Sequence, residues 1–167
     1  MTGQVGRILD GREDFDFLIG QWDQRHHMLR EALAGCAEWN EFPATLDVRR
    51  AMGDLGNVDE TVMQAPQGEE RALTVRLFEP ATRLWRIYWA DAETGAMDGP
   101  MTGRFTNGVG LFYRHELYRD IPVIRRFRWT SEGPDVCRWI QAFSPDGGAT
   151  WETNWEVDFT RRAKGRD

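Results

Sequence analysis

The sequence predicts an all-β fold, an antiparallel up-and-down barrel of about ten strands with a short N-terminal helical turn. Three observations predict it. Apolar, aromatic and β-branched residues recur with a period of two in short segments. Those segments are separated by Gly, Pro, Asp and Asn. The chain of 167 residues carries eight Trp and nine Phe, so much of its interior must be aromatic. A sheet of many short antiparallel strands with no helices to cover it must close, because open edges and a bare apolar face invite aggregation.

Residues 1–13 are polar, contain Gly and show no period, so they read as a flexible lead-in. Residues 14–162 read as one domain, the usual size for a single core, and residues 163–167 as a flexible tail. The stretch Asp14-Phe15-Asp16-Phe17-Leu18-Ile19-Gly20 supports one helical turn, capped by Asp14 or Asp16 and ended by Gly20. It is placed to plug one end of a barrel.

Strands are expected at residues 22–30, 41–51, 56–64, 72–79, 84–90, 96–104, 110–118, 123–130, 136–143 and 151–161. Several links carry turn chemistry: Glu79-Pro80-Ala81-Thr82, Thr106-Asn107-Gly108, Arg119-Asp120-Ile121-Pro122, Glu132-Gly133-Pro134-Asp135 and Pro145-Asp146-Gly147-Gly148. Such short links make neighbours in sequence neighbours in the sheet.

Parity then assigns the inward faces. Trp22, Gln24, His26 and Met28 share one face, as do Trp85, Ile87 and Trp89. Leu111, Tyr113, His115 and Leu117 are expected to point inward, followed by Val123, Arg125, Phe127 and Trp129, then Cys137, Trp139, Gln141 and Phe143. The last strand offers Trp151, Thr153, Trp155, Val157 and Phe159, leaving Glu152, Asn154 and Glu156 to the solvent face.

Composition excludes several functions. The net charge is -6 and the Arg residues are dispersed among acids and aromatics, which is no footprint for nucleic acid. Cys36 and Cys137 lie far apart in a chain whose first residues show no secretory leader pattern, which reads as reduced thiols in the cytoplasm. No apolar run approaches the roughly 18 residues of a membrane span. His26 and His27 are adjacent on a strand and point to opposite faces, so they cannot share a metal, and no metal site is expected. No P-loop, nucleophile elbow or dinucleotide fingerprint is present, and no motif calls for a cofactor.

Gly20-x-Trp22 opens the first strand, and Arg161 or Arg162 ends the last one, placed to stack over that indole. The pairing resembles the calycin arrangement of lipocalin-like barrels. Together with Asp14-Phe15-x-Phe17-Leu18-Ile19-Gly20-x-Trp22, the segments Gly56-Asn57-Val58-Asp59-Glu60, Trp85-x-Ile87-Tyr88-Trp89 and Trp139-x-Gln141-Ala142-Phe143-Ser144 resemble an uncharacterised bacterial lipocalin-like family, a domain of unknown function. The resemblance covers roughly residues 14–161 and implies a fold without an assigned reaction. Residues 144–151, Ser-Pro-Asp-Gly-Gly-Ala-Thr-Trp, match the Asp box, a hairpin turn held by its Ser and Asp side chains. One copy cannot build the propeller in which that motif marks glycosidases.

The functional expectation is a cavity for a small apolar or aromatic organic molecule, lined by Trp85, Trp89, Trp139 and Trp155 and oriented by His26, Tyr113, His115, Arg125 and Gln141. An alternative from the enzyme class is a cofactor-free isomerase, cyclase, hydratase or decarboxylase. There His26 or His115 moves a proton and Arg125 or Tyr113 stabilises negative charge. A second alternative is a haem-binding barrel with His26 or His115 as the axial ligand. A third is a filled interaction module, indicated by a cavity below about 300 Å³. The sequence is also compatible with a homodimer.

Overall fold

The structure is a computed structural model that describes residues 9–163. A 3₁₀ turn at Asp16–Leu18 precedes ten strands: β1 (Gly20–Leu29), β2 (Trp39–Ala51), β3 (Gly56–Ala65), β4 (Gly68–Glu79), β5 (Leu84–Asp91), β6 (Met97–Thr106), β7 (Val109–Tyr118), β8 (Ile121–Ser131), β9 (Val136–Ser144) and β10 (Glu152–Arg161). Each strand pairs antiparallel with its neighbours in sequence. β1 also pairs with β10, from Trp22 opposite Arg161 to Met28 opposite Trp155, which closes the barrel. The expected fold class is the observed one. Residues 1–8 of the expected lead-in and 164–167 of the expected tail lie outside the described residues.

The turn plugs the barrel floor. Leu18 is fully buried and Phe15 nearly so, and the Phe15 ring meets Trp85, Phe105, Phe112 and Trp129 at centroid distances of 4.9–5.7 Å. Neither Asp14 nor Asp16 caps this turn, because Phe15 occupies the cap position and makes no side-chain bond there. Asp16 instead pairs with Arg50 across the rim, at 2.9 Å. The end of the lead-in is fastened to the same floor. The Trp85 indole N–H donates to the Gly11 carbonyl at 2.9 Å, and Arg12 bonds Asp10 and Asp54.

Arg161, rather than Arg162, seals the seam. Its guanidinium lies 4.1 Å from the Trp22 ring centroid and donates to the carbonyls of Ile19 and Phe17 at 2.6 and 2.7 Å. Trp22 is fully buried and donates its own N–H to the Leu18 carbonyl at 2.8 Å. Gly20 makes this clamp fit: its φ of +121° favours glycine, and a Cβ there would stand 2.6 Å from Arg161 Nη1. Arg162 pairs with Asp23 outside.

The link between β9 and β10 is the expected Asp box. Asp146 accepts from the Ser144 and Thr150 hydroxyls and the Thr150 backbone N–H, while the Gly148 N–H bonds the Ser144 hydroxyl. Those bonds, led by the Thr150 hydroxyl, hold the Asp146 carboxyl below its ordinary pKa.

Two expected faces are corrected. On β7, Phe112 is fully buried, whereas Tyr113 is 41% and Leu117 68% exposed and His115 is exposed too. The inward residues are therefore Gly110, Phe112, Arg114 and Glu116, which stand opposite the inward Trp129, Phe127, Arg125 and Val123 of β8. The misleading signal is that the interior turns charged at this end, so the outer face of β7 is the more apolar one. On β10, Asn154 is an extra residue, since Thr153 pairs with Ala142 and Trp155 with Gln141. The bulge turns Asn154 inward, where it is 4% exposed, and leaves Trp151 before the strand, where Arg126 stacks on it at 4.2 Å. Both cysteines are free, and burial pushes the Cys137 thiol up to about 12.

Candidate ligand-binding cavity

Strands β3 and β4 place an unexpected layer of polar side chains inside the barrel. Asn57, Asp59 and Thr61 alternate inward on β3, and Thr74 and Arg76 on β4, all at most 5% exposed. Val58, Val62, Leu73, Val75 and Leu77 take the other face. This inverts the usual inside-apolar pattern, and the sequence reading missed it. A signal was present: the hairpin through Ala65 and Gly68 sets Asn57 opposite Arg76 and Asp59 opposite Thr74, a ladder of complementary polar groups.

The layer centres on a buried ion pair. Arg76 Nη1 bonds the Asp59 carboxylate and, at 3.0 Å, the Asn57 amide oxygen. The same guanidinium lies over the Phe15 and Trp129 rings at 5.6 and 5.5 Å, joining the polar layer to the plug below it. Such a pair is costly to desolvate, and isosteric apolar residues often serve stability as well, so its retention is itself informative.

This layer borders a partly open cavity of about 100 Å³. Gln24, Asp59, Thr61, Thr74 and Arg76 line one part, and Trp89, Trp129, Trp139, Trp155 and Phe127 another, with Arg125 and Gln141 on the same wall. A wider groove of about 590 Å³ opens at the barrel mouth between Met28, Met63, Glu70, Arg71 and Glu93, and it shares Trp89 and Trp155 with the cavity. These two indoles meet edge to face at 6.1 Å, and Trp139 meets Trp155 likewise at 5.4 Å, so three rings packed edge to face form the partition.

His26 is tied into that partition. Its Nδ1 accepts the Trp155 indole N–H at 3.0 Å, which puts the ring proton on Nε2, 3.2 Å from Gln24 Oε1. The ring stacks on Phe42 at 4.9 Å, and burial pushes its pKa down to about 3. A neutral imidazole with both nitrogens engaged is a support for Trp155. It is poorly suited to moving protons or to ligating iron.

Of the residues expected at the site, Trp89, Arg125, Trp139, Gln141 and Trp155 meet at the cavity. Trp85 lies lower, in the floor cluster around Phe15 and Phe78. Tyr113 and His115 are on the outer surface, so the enzyme and haem readings lose their surface-side histidine from the cavity. The Gln141 side-chain amide donates to Asn154 Oδ1 at 2.8 Å. Arg125 bonds Glu116 at 2.5 Å, and Glu116 also holds Arg114, a charged trio beside the mouth. Burial pulls the Arg125 guanidinium below its usual pKa, against the attraction of Glu116. Among the described residues no group of three or more metal-ligating side chains exists, and no helix is long and apolar enough to cross a membrane.

Four side chains that line the cavity each carry a buried polar atom with no hydrogen-bond partner among the described residues: Asp59 Oδ1, Arg76 Nε, Trp129 Nε1 and Arg125 Nε. Native interiors leave few such atoms, because each costs on the order of 1–3 kcal/mol.

Fold and cavity together define the class, a ten-stranded lipocalin-like barrel with a plugged floor, a small polar-and-aromatic chamber and a wider mouth. Among solved structures the chain is similar to the S-type phycobiliprotein lyase CPES from Guillardia theta, with a TM-score of 0.62 and 12% identity over 94% of this chain and 97% of that one. At that identity the likeness shows the fold. No family model and no curated protein matches the chain, so the resemblance to a bacterial family of unknown function has no counterpart there.

Proposed function

We propose that this barrel binds a small organic molecule, with its head in the inner chamber and its apolar or aromatic body lying past Trp89 and Trp155 in the mouth groove. The observation that supports the reading is a cavity lined by the buried polar side chains Gln24, Asp59, Thr61, Thr74 and Arg76 together with the indoles of Trp89, Trp129, Trp139 and Trp155. A concave site with aromatic walls and a few placed polar groups is the usual form of a small-molecule site.

Size divides the ligand. The chamber of about 100 Å³ falls below the roughly 300 Å³ that marks a filled module, so by itself it takes a head group only and the binding reading depends on the mouth groove. The mouth groove of about 590 Å³ supplies the remaining room. The similar solved structure bears the name of a phycobiliprotein lyase, which is in keeping with a barrel of this shape serving small-molecule chemistry. Binding is favoured over catalysis here because no free acid–base group faces the chamber from the expected histidines.

The test is a screen of small aromatic metabolites read by intrinsic fluorescence and thermal shift. A binder quenches or shifts the indole emission and raises the melting temperature with concentration, as mass action requires. Trp155→Ala, which removes the wall shared by chamber and groove, should weaken any such binder at least tenfold. A broad screen in which no compound moves either signal overturns the proposal, as does a binder whose affinity is indifferent to Trp155.

A further inference from the structure

Three charged side chains line the chamber: Asp59, Arg76 and Arg125. Asp59 and Arg76 close on each other, with side chains 1% and 4% exposed, so that pair offers a ligand little surface. Arg125 differs. Its side chain is 21% exposed, which makes it the chamber-lining charge that a ligand can meet.

Strand β8 sets Arg125 opposite Arg114 of β7 and Phe143 of β9, and its guanidinium lies 5.4 Å from the Phe143 ring centroid. Its Nη2 pairs with Glu116 Oε1 at 2.5 Å, but Glu116 gives its other oxygen to Arg114. Arg114 also reaches Asp98 at 3.8 Å, a carboxylate that is 53% exposed and therefore largely screened by water. Three guanidiniums, Arg76, Arg114 and Arg125, thus share two buried carboxylates, Asp59 and Glu116. One positive charge on this wall has no buried match.

That excess discriminates between kinds of head group. A neutral head leaves the charge uncompensated, and an ammonium adds a like charge to it. A doubly charged phosphate exceeds the single unmatched charge. A carboxylate matches it, and carboxylate with guanidinium is among the strongest of hydrogen-bonded pairs. The uncharged lining suits an anion too. Thr61 and Thr74 carry hydroxyl donors, and Gln24, whose oxygen is engaged by His26, has its amide N–H groups to offer.

Resting on the proposed binding function, we infer that the ligand is a carboxylic acid that enters head first, its carboxylate pairing with Arg125 and its body remaining against Trp89 and Trp155. Nη2 of Arg125 is held by Glu116 and Nε is covered, which leaves Nη1 as the donor for that head.

Three fragments of one size test it on the intact protein at neutral pH: benzoate, benzamide and benzylammonium, each followed through the indole N–H resonances. Benzoate should bind about tenfold or more tightly than benzamide, and benzylammonium most weakly. Arg125→Gln should bring benzoate down to the benzamide level and leave benzamide unchanged, whereas Arg125→Lys, which keeps the charge, should hold part of the preference. Arg126→Gln, on the outer surface against Trp151, should change neither affinity, which separates the chamber from adventitious anion binding outside. Equal binding of benzamide, a preference that survives Arg125→Gln, or one that is lost in Arg126→Gln each overturns the inference. If fragments of this size do not bind, the same variants are applied to the binder from the broader screen, and a neutral binder or one indifferent to Arg125 overturns it equally. In each of those cases a binder that depends on Trp155 leaves the binding function standing. If nothing binds in either experiment, the binding function falls as well.

Discussion

His26 shows how one side chain links packing to pH. The native barrel holds it neutral at a pKa near 3, while in the unfolded chain the ring protonates near its ordinary 6.5. Its contribution to stability is therefore complete above about pH 6.5 and is lost as pH falls toward 3, because the unfolded state gains a proton that the native state refuses. Most carboxylates titrate lower, near 4, so the interval from pH 6.5 to 5 isolates this ring. Unfolding free energy, measured by denaturant titration, should drop across that interval by about 1–2 kcal/mol more in the native protein than in a His26→Gln variant. Equal slopes for the two proteins would mean that the ring is hydrated or protonated in the native state. The same experiment reports on Trp155, whose indole N–H depends on an unprotonated Nδ1.

Strand β7 is the element on which sequence and structure part. Phe112 stands in the floor cluster, its ring 5.7 Å from Phe15 and 5.9 Å from Phe105, whereas Tyr113 lies outside against Trp151. Phe112→Ala should accordingly cost about 3–5 kcal/mol, and Tyr113→Ala less than about 1 kcal/mol. Reversed magnitudes in thermal or chemical unfolding would restore the original parity. Most of the fold was legible in the chain. Turn residues and period-two alternation give ten strands with ends displaced by a few residues, and Gly20-x-Trp22 with a terminal Arg marks the seam. The faces of β1, β5, β8 and β9 were readable because large rings sit inside them. Parity failed on β7 because Leu111, Tyr113 and Leu117 outrank Arg114 and Glu116 in hydrophobicity, while inside the barrel Glu116 pairs with both Arg114 and Arg125. It failed on β10 because one bulge residue shifts the count. The polar floor of β3 and β4 was overlooked for the same reason as β7: a cavity inverts the pattern that a filled core obeys.

At the scale of the whole molecule, stability depends on closure. Every strand has a partner on both sides, so no strand can leave without opening two seams. The β1–β10 seam and the plug meet at Arg161, which stacks on Trp22 and binds the carbonyls on which the plug ends. Losing it removes charge-assisted hydrogen bonds together with a cation–π contact, and Arg161→Ala should cost about 2–3 kcal/mol. Arg161→Lys should recover little of that, since a single ammonium cannot stack flat and reach both carbonyls at once. Because plug, seam and aromatic core are one contact network, the indole emission and the far-ultraviolet circular dichroism should lose their native signals at a common denaturant midpoint, in the native protein and in the variant alike. An emission change that precedes the loss of strand signal in Arg161→Ala would show the plug to be a separable part, released while the barrel stays closed.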